Sequence, residues 1–378
     1  YFAIQQAFAA LDRMEVRGRD SAGVHVMVWG HGLDASDTRV KQLLGTRTQD
    51  ALFTSGSVRP GTGSRAWSFV YKAAAEIGEL GDNTRVMRKA VLEDELLRLL
   101  VSQPGARVSV IGHTRWASVG IISEPNAHPV NSEELEQRGG SPYLVAAANG
   151  DVDNHADIKA RYSLAIADPI TTDAKVIPTL VSRRLIEGAT LIQSFRESVA
   201  QFEGSVAIAA IDADSPNTVL LSLRGSGQGL YVGVAEDRYL VASEPYGVVE
   251  ETMRYVRMDG EALADGNDPT SRGQVFVLDG ERAGTIEGIT GLSYLGEQLP
   301  TIDVTTAEVT TRDIDRGDHR HFLSKEIAEA PFSFRKTLRG KIGERDGLLR
   351  ATLDESVLPK SVLDRLSSGA IRRIRAVS

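Results

Sequence analysis

The apolar positions of this chain change period several times, and the changes outline its elements. Ile4, Phe8, Leu11 and Met14 recur on one face of a 3.6-residue period, which predicts an opening helix. Val24, Val26 and Val28 then alternate with other positions, the signature of a half-buried strand. Residues 30–66 are rich in Gly, Ser, Thr and Asp and read as loop, whereas 67–103 read as helical, around Ala73–Ile77 and again up to Leu96–Leu100, where Pro104 and Gly105 close the run. Short apolar runs at Val108–Ile111 and Leu144–Ala147 predict strands. Helical spacing returns with Val176, Leu180 and Leu185, and again with Leu191, Phe195 and Val199. From Ser205 the pattern is repeated hairpins: Ser205–Ile211, Thr218–Leu223, Leu230–Val234 and Tyr239–Ala242, then Arg254–Met258 and Gln274–Leu278. Strands on both sides of a central helical pair predict an α+β fold in which two antiparallel sheets pack together with helices outside them. Residues 280–320 read as a Gly-, Thr- and Asp-rich connection, Phe322–Arg339 as a helix, and 344–378 as the opening of a second domain.

Composition narrows the function classes. At 378 residues the chain is long enough for two domains, and 42% hydrophobic with 25% charged residues describes an ordinary globular protein. A net charge of −8 speaks against nucleic acid or an anionic membrane as partner, because neither surface attracts it. No apolar run is long enough to cross a bilayer, and the start lacks the order of a signal peptide, so a cytoplasmic protein is expected. Both ends read as cut: Tyr1 sits inside a helical pattern without a cap, and the basic residues at 372–375 lead into a strand that stops as it starts. There is no cysteine, which rules out disulfides and thiolate metal sites within these residues.

Four short segments carry candidate chemistry. Arg115 follows a strand and is succeeded by Trp116 and Ser118. A guanidinium fork with a neighbouring hydroxyl suits a small carboxylate; the alternative is a surface salt bridge beside a core tryptophan. His128 lies between Asn126 and Pro129 and suits either a structural or an acid–base role. Asn149 and Gly150 end an apolar run. They read as a turn, or as an oxyanion hole built from a side-chain amide and a glycine N–H. Thr172 and Asp173 precede a helix, as a cap or as a carboxylate for an ammonium group.

In this order and spacing, the segments resemble the class II glutamine amidotransferase domain, an N-terminal-nucleophile hydrolase, in the form found in glutamine–fructose-6-phosphate aminotransferases. Glu15–Gly23, Glu203–Ala207 and His319–Pro331 agree with further motifs of that family, and the likeness runs from residue 1 to about 340, with an apparent insertion at 30–105. The resemblance implies a four-layer αββα glutaminase domain over 1–280, a linker and connecting helix over 281–343, and the start of a sugar isomerase domain over 344–378. It implies that Arg115 binds the glutamine α-carboxylate, that Trp116 and Ser118 line a closing loop, and that Asp173 binds the α-ammonium. Asn149 and Gly150 would form the oxyanion hole, Arg17 would position the nucleophile, and His128 would position neighbouring groups. No cofactor or metal is implied; the partners are L-glutamine and a sugar phosphate (fructose 6-phosphate), in a homodimer when complete.

Val119, Val130 and Ala148 stand where the family has histidine, and Ala330 where it has glutamine. The family's attacking group is an N-terminal cysteine on a strand before the first helix. Only sixteen residues precede Arg17, and they read as that helix, so the cysteine is expected upstream of Tyr1. The alternative is a catalytically inactive glutamine-binding regulatory or scaffold domain.

Overall fold

Helix α1 (Phe2–Met14) buries Ile4, Phe8 and Leu11 along one face, as their spacing predicts. It opens the first of two units, Tyr1–Ile314 and Asp315–Ser378. The computed structural model describes residues 1–14, 18–63, 65–74, 81–135, 140, 142–268, 271–307, 319, 322–345, 347–351 and 358–373. After α1 come β1 (Ser21–Trp29), α2 (Thr38–Leu44), β2 (Val58–Arg59), β3 (Trp67–Ala74), α3 (Asp82–Glu93), α4 (Glu95–Val101) and β4 (Arg107–Arg115). Their strands form an antiparallel sheet in the order β2-β3-β1-β4. Next are β5 (Val130–Asn131), β6 (Leu144–Gly150), α5 (His155–Arg161), α6 (Val176–Ile186), α7 (Leu191–Val199), β7 (Val206–Asp212), β8 (Thr218–Arg224), β9 (Tyr231–Val234), β10 (Tyr239–Ala242), β11 (Arg254–Arg257), β12 (Gln274–Asp279), β13 (Ile289–Ser293) and β14 (Val304–Thr306). These build a six-stranded sheet, β13-β12-β8-β7-β6-β5, and a four-stranded one, β10-β9-β11-β14.

Alternation along the strands decides the layers. On β1 and β3, Val24, Val26, Phe69 and Tyr71 face α1, α3 and α4, while Met27 and Val70 face the six-stranded sheet. On β7, Val206, Ile208 and Ala210 face α6 and α7; Ala207 and Ile211 face the two four-stranded sheets. Ala207 packs with β9 and Ile211 with β1 and β3, so both smaller sheets lie on the same side of the large one. The result is the expected helix–sheet–sheet–helix order. Each fully buried Leu, Ile or Phe in these cores contributes about 1.5–3 kcal/mol. Among the described residues, no helix is long and apolar enough to cross a membrane.

Three expectations need correction. The 67–103 stretch is not helical throughout, because Trp67–Ala74 is the strand β3, paired along its length with β1. Aromatic residues at 67, 69 and 71 alternate with inward-facing 68, 70 and 72, and tertiary burial of both faces overrides any local helical preference. The helical reading at 75–77 lies outside the described residues. Within 30–66, helix α2 forms behind the N-cap Asp37, whose carboxylate accepts from the Arg39 and Val40 N–H groups. Residues 289–306 likewise add β13 and β14 to the sheets of the first unit.

Lys72 faces the space between the sheets. Its side chain is buried, and its ammonium stands 5.1 Å from the Phe53 ring centroid with no hydrogen-bond partner among the described residues. Burial, reinforced by Lys175 and only partly offset by Glu124 and Asp50, lowers its pKa to about 7. The unfolded chain therefore binds more protons between about pH 7 and 10.5, and stability rises with pH across that window. Lys72→Met is expected to stabilise the fold at pH 7 by about 1–4 kcal/mol and to flatten this rise. Denaturation of both proteins at pH 7 and 9.5 checks it; an unchanged pH increment would reject the assignment.

The second unit holds α8 (Phe322–Leu338), the hairpin β15 (Ile342–Arg345) and β16 (Leu348–Ala351), and α9 (Lys360–Ser367). Gly347, at φ 73°, lies between the two hairpin strands.

Candidate active site

Two strand ends and one irregular arm meet at the edge of the sheet sandwich. Strand β4 ends on Arg115, and β6 ends on Asn149 and Gly150, which pair with Ala207 and Val206 in the ladder. The Asn-Gly pair is thus the end of a strand and not a hairpin turn. Gly150 has φ 101°, and a Cβ there would lie 2.1 Å from the Ser205 carbonyl oxygen, so only glycine fits.

Arg115 is 4% exposed, and its Nη1 is buried without a hydrogen-bond partner among the described residues. Nη2 donates to the Val119 carbonyl. Burial lowers its pKa, and the nearby carboxylates of Asp173, Asp20 and Asp151 oppose that shift. Trp116 is 75% exposed. A surface salt bridge beside a core tryptophan is therefore the wrong description of this pair. The loop after β4 is fastened at several points. The Ala117 N–H donates to Asp20 Oδ2 at 2.8 Å, Ser118 Oγ donates to Asp151 Oδ1, and the Ile121 N–H donates to Thr171 Oγ1 at 3.3 Å.

Asp173 is buried, and its Oδ2 accepts the Val152 N–H at 2.7 Å. Burial raises its pKa, and Asp151 adds to the effect. Thr172 makes no side-chain cap bond at the helix start; its hydroxyl is 2.9 Å from Nε2 of His128. Nδ1 of His128 lies 3.0 Å from the Ala148 carbonyl. A carbonyl only accepts, so Nδ1 carries the proton and Nε2 accepts from Thr172. Burial, helped by His113 and Arg115, holds the His128 pKa well below 6.5. With both nitrogens committed, the ring ties the β6 end to the arm that carries Asp173. His113 packs against it, tilted by 37°, at 4.7 Å between centroids. Gly23 admits this packing: a Cβ there would lie 2.2 Å from the His128 carbonyl oxygen.

Arg17 lies outside the described residues. Among those described, Arg115, Asn149, Gly150, Ser118, His128 and Asp173 share one neighbourhood, and Trp116 projects from its loop. Sequence reasoning missed Asp20 and Asp151, which fasten that loop. Asp20 lies within Glu15–Gly23 and Asp151 directly follows Gly150, but an acidic residue in a loop gives no signal until its partner is known. Among the described residues no cluster of His, Cys, Asp and Glu is arranged to hold a metal ion.

Behind Asn149 opens a cavity of about 1060 Å³. Its floor is Ala147, Ala207 and Ala209 of the large sheet, and its roof is Ala3, Ala7 and Ala10 of α1. Its walls are β4 and β10, each an outer strand of its own sheet among the described residues. Two strand edges facing each other across small side chains define a slot.

The glutamine–fructose-6-phosphate aminotransferase [isomerizing] of Halalkalibacterium halodurans is 31% identical over 262 residues, 69% of this chain and 38% of that protein. The enzyme of that name from Geobacillus kaustophilus is 32% identical over 246 residues, 65% of this chain and 36% of its own. This chain is a relative of the glutamine–fructose-6-phosphate aminotransferases. It spans less than two fifths of the length of these relatives. No family model matches it. Among solved structures, a glutamine phosphoribosylpyrophosphate amidotransferase from B. subtilis, complexed with ADP and GMP, covers 77% of this chain and 46% of its own at 18% identity, with a TM-score of 0.46. Another, described as the allosteric regulatory enzyme of purine biosynthesis, has a TM-score of 0.47 at the same identity.

Proposed function

We propose that this aminotransferase relative binds L-glutamine and forms the glutamine-hydrolysing half of an enzyme that passes ammonia to a sugar phosphate, fructose 6-phosphate in the relatives' name. The observation that carries the proposal is the gathering of a buried, half-satisfied Arg115, the Asn149–Gly150 strand end and the buried Asp173 in one neighbourhood, with Asn149 also lining the slot. Arg115 Nη1 suits the substrate carboxylate, Asp173 its ammonium, and Asn149 with the Gly150 N–H the oxyanion. Attack by a thiolate on the carboxamide carbon breaks the C–N bond through that oxyanion. The nitrogen leaves as ammonia after taking a proton, and water then hydrolyses the thioester to glutamate.

The slot supports a nucleophile carried on a strand that leads into Tyr1. Arg107 pairs with Glu281 at 2.9 Å, and Tyr239 donates to the Arg282 carbonyl at 2.9 Å, so β4 and β10 both start at the end remote from Asn149. Helix α1 begins there too, since the Phe2 ring lies 4.9 Å from the Arg238 guanidinium. An extended segment that turns into Tyr1 at that end runs antiparallel to both walls. In the same reading, residues 344–378 lead into a sugar isomerase domain.

The test uses the full-length protein. Glutamate release is expected, with loss of activity when the residue that begins the slot strand is replaced by Ala. Glutamine binding without any glutamate release would overturn the catalytic reading and leave a sensing domain.

A further inference from the structure

Three of the groups assigned to glutamine stand on strand ladders, while the fourth does not. Arg115 ends β4, and Asn149 and Gly150 end β6, each held by backbone hydrogen bonds to its neighbours. Asp173 instead follows an irregular arm, residues 163–172, whose path no ladder sets. Its Oδ2 accepts the Val152 N–H, but something else must set the path of the arm that delivers it.

Asn126 is fully buried in the short helical turn Glu124–Asn126, and its amide is saturated. Oδ1 accepts the Thr171 N–H at 2.7 Å and the Thr172 N–H at 2.8 Å. Nδ2 donates to the Pro169 carbonyl at 3.0 Å and to Ser123 Oγ at 2.9 Å. One side chain thus holds three backbone groups of the arm, the last in the residue immediately before Asp173. The turn is itself anchored from elsewhere in the fold: the Ser55 N–H donates to Glu124 Oε2 at 2.9 Å. Only a side chain that both accepts and donates can do this, because the arm presents two N–H groups and a carbonyl to the same point.

We infer that Asn126 is a positioning residue that sets selectivity for ligands bearing an α-ammonium group, acting through the aim of Asp173. The inference rests on the glutamine-binding reading. Loosening the arm moves the ammonium acceptor while leaving the carboxylate fork and the β6 end in their ladders. Selectivity then falls without a matching loss of carboxylate binding.

The probes are L-glutamine and 4-carbamoylbutanoate, which is glutamine without its α-amino group, titrated calorimetrically into the chain. Wild type is expected to favour glutamine by about tenfold or more, the worth of one charge-assisted contact. Asn126→Ala is expected to shrink that preference to about threefold or less, with 4-carbamoylbutanoate affinity held within about twofold. Asp173→Asn serves as the benchmark for losing the ammonium contact directly. If Asn126→Ala does not fold by circular dichroism, Asn126→Asp decides, since it keeps the shape and the acceptor but cannot donate to Pro169. Equal weakening of both ligands, or an unchanged preference, overturns the positioning role while the glutamine reading survives. Wild type that binds neither probe overturns both.

Discussion

Arg115→Ala is expected to weaken glutamine binding by about 2–5 kcal/mol, roughly 30-fold at the least. The guanidinium is buried, and no carboxylate among the described residues satisfies its Nη1, so a bound carboxylate meets a donor already stripped of water. Removing it leaves the ligand's charge unpaired in the same low-dielectric place, which is why the loss exceeds that of a surface contact. Arg115→Lys keeps the charge and loses the fork, so an intermediate affinity is expected. Calorimetry on the folded variants measures both. Retention of wild-type affinity in Arg115→Ala would place glutamine elsewhere or nowhere on this chain.

The largest effect on stability is expected from Gly150→Ala. Two costs add there: a left-handed backbone at φ 101°, and a Cβ forced to within 2.1 Å of a backbone oxygen on the adjacent strand. Strain of each kind costs about 1–3 kcal/mol, so a loss of roughly 3–5 kcal/mol is expected, with the β6–β7 ladder disrupted at the site. Gly266→Ala is the control, because its Cβ would meet nothing within 4 Å and its φ is unexceptional. Denaturant titration of the three proteins checks the prediction. A Gly150→Ala variant as stable as the control would mean that the strand end shifts freely and cannot hold a fixed oxyanion hole.

How much of this was legible beforehand depends on the range of the interactions involved. Helices α1, α6 and α7 followed from spacing alone, because Ile4, Phe8, Leu180 and Phe195 each signal a face within one or two turns. The strands from β6 to β12 were bounded by their own turn residues. β3 was missed because Trp67, Phe69 and Tyr71 gain their meaning from α3, α4 and β1, all distant in sequence or not yet folded around them. The site motifs could be named because each is short. Their alternatives could not be separated until burial removed Arg115 from the surface, exposed Trp116 and put Asn149 and Gly150 on a strand.

Sequence by itself determined the types of the elements with their own local period or turn signals, the α+β layering and the residue types suited to glutamine, because these rest on local periodicity and on side-chain chemistry. Tertiary structure alone decided what those residues are free to do. It left Arg115 Nη1 open, gave both His128 nitrogens to partners, and made Asn126 the template for the arm before Asp173. It also set β4 and β10 facing each other across a slot. Each of these depends on atoms dozens to hundreds of residues apart reaching hydrogen-bond distance or failing to, a property of packing that no window of sequence contains.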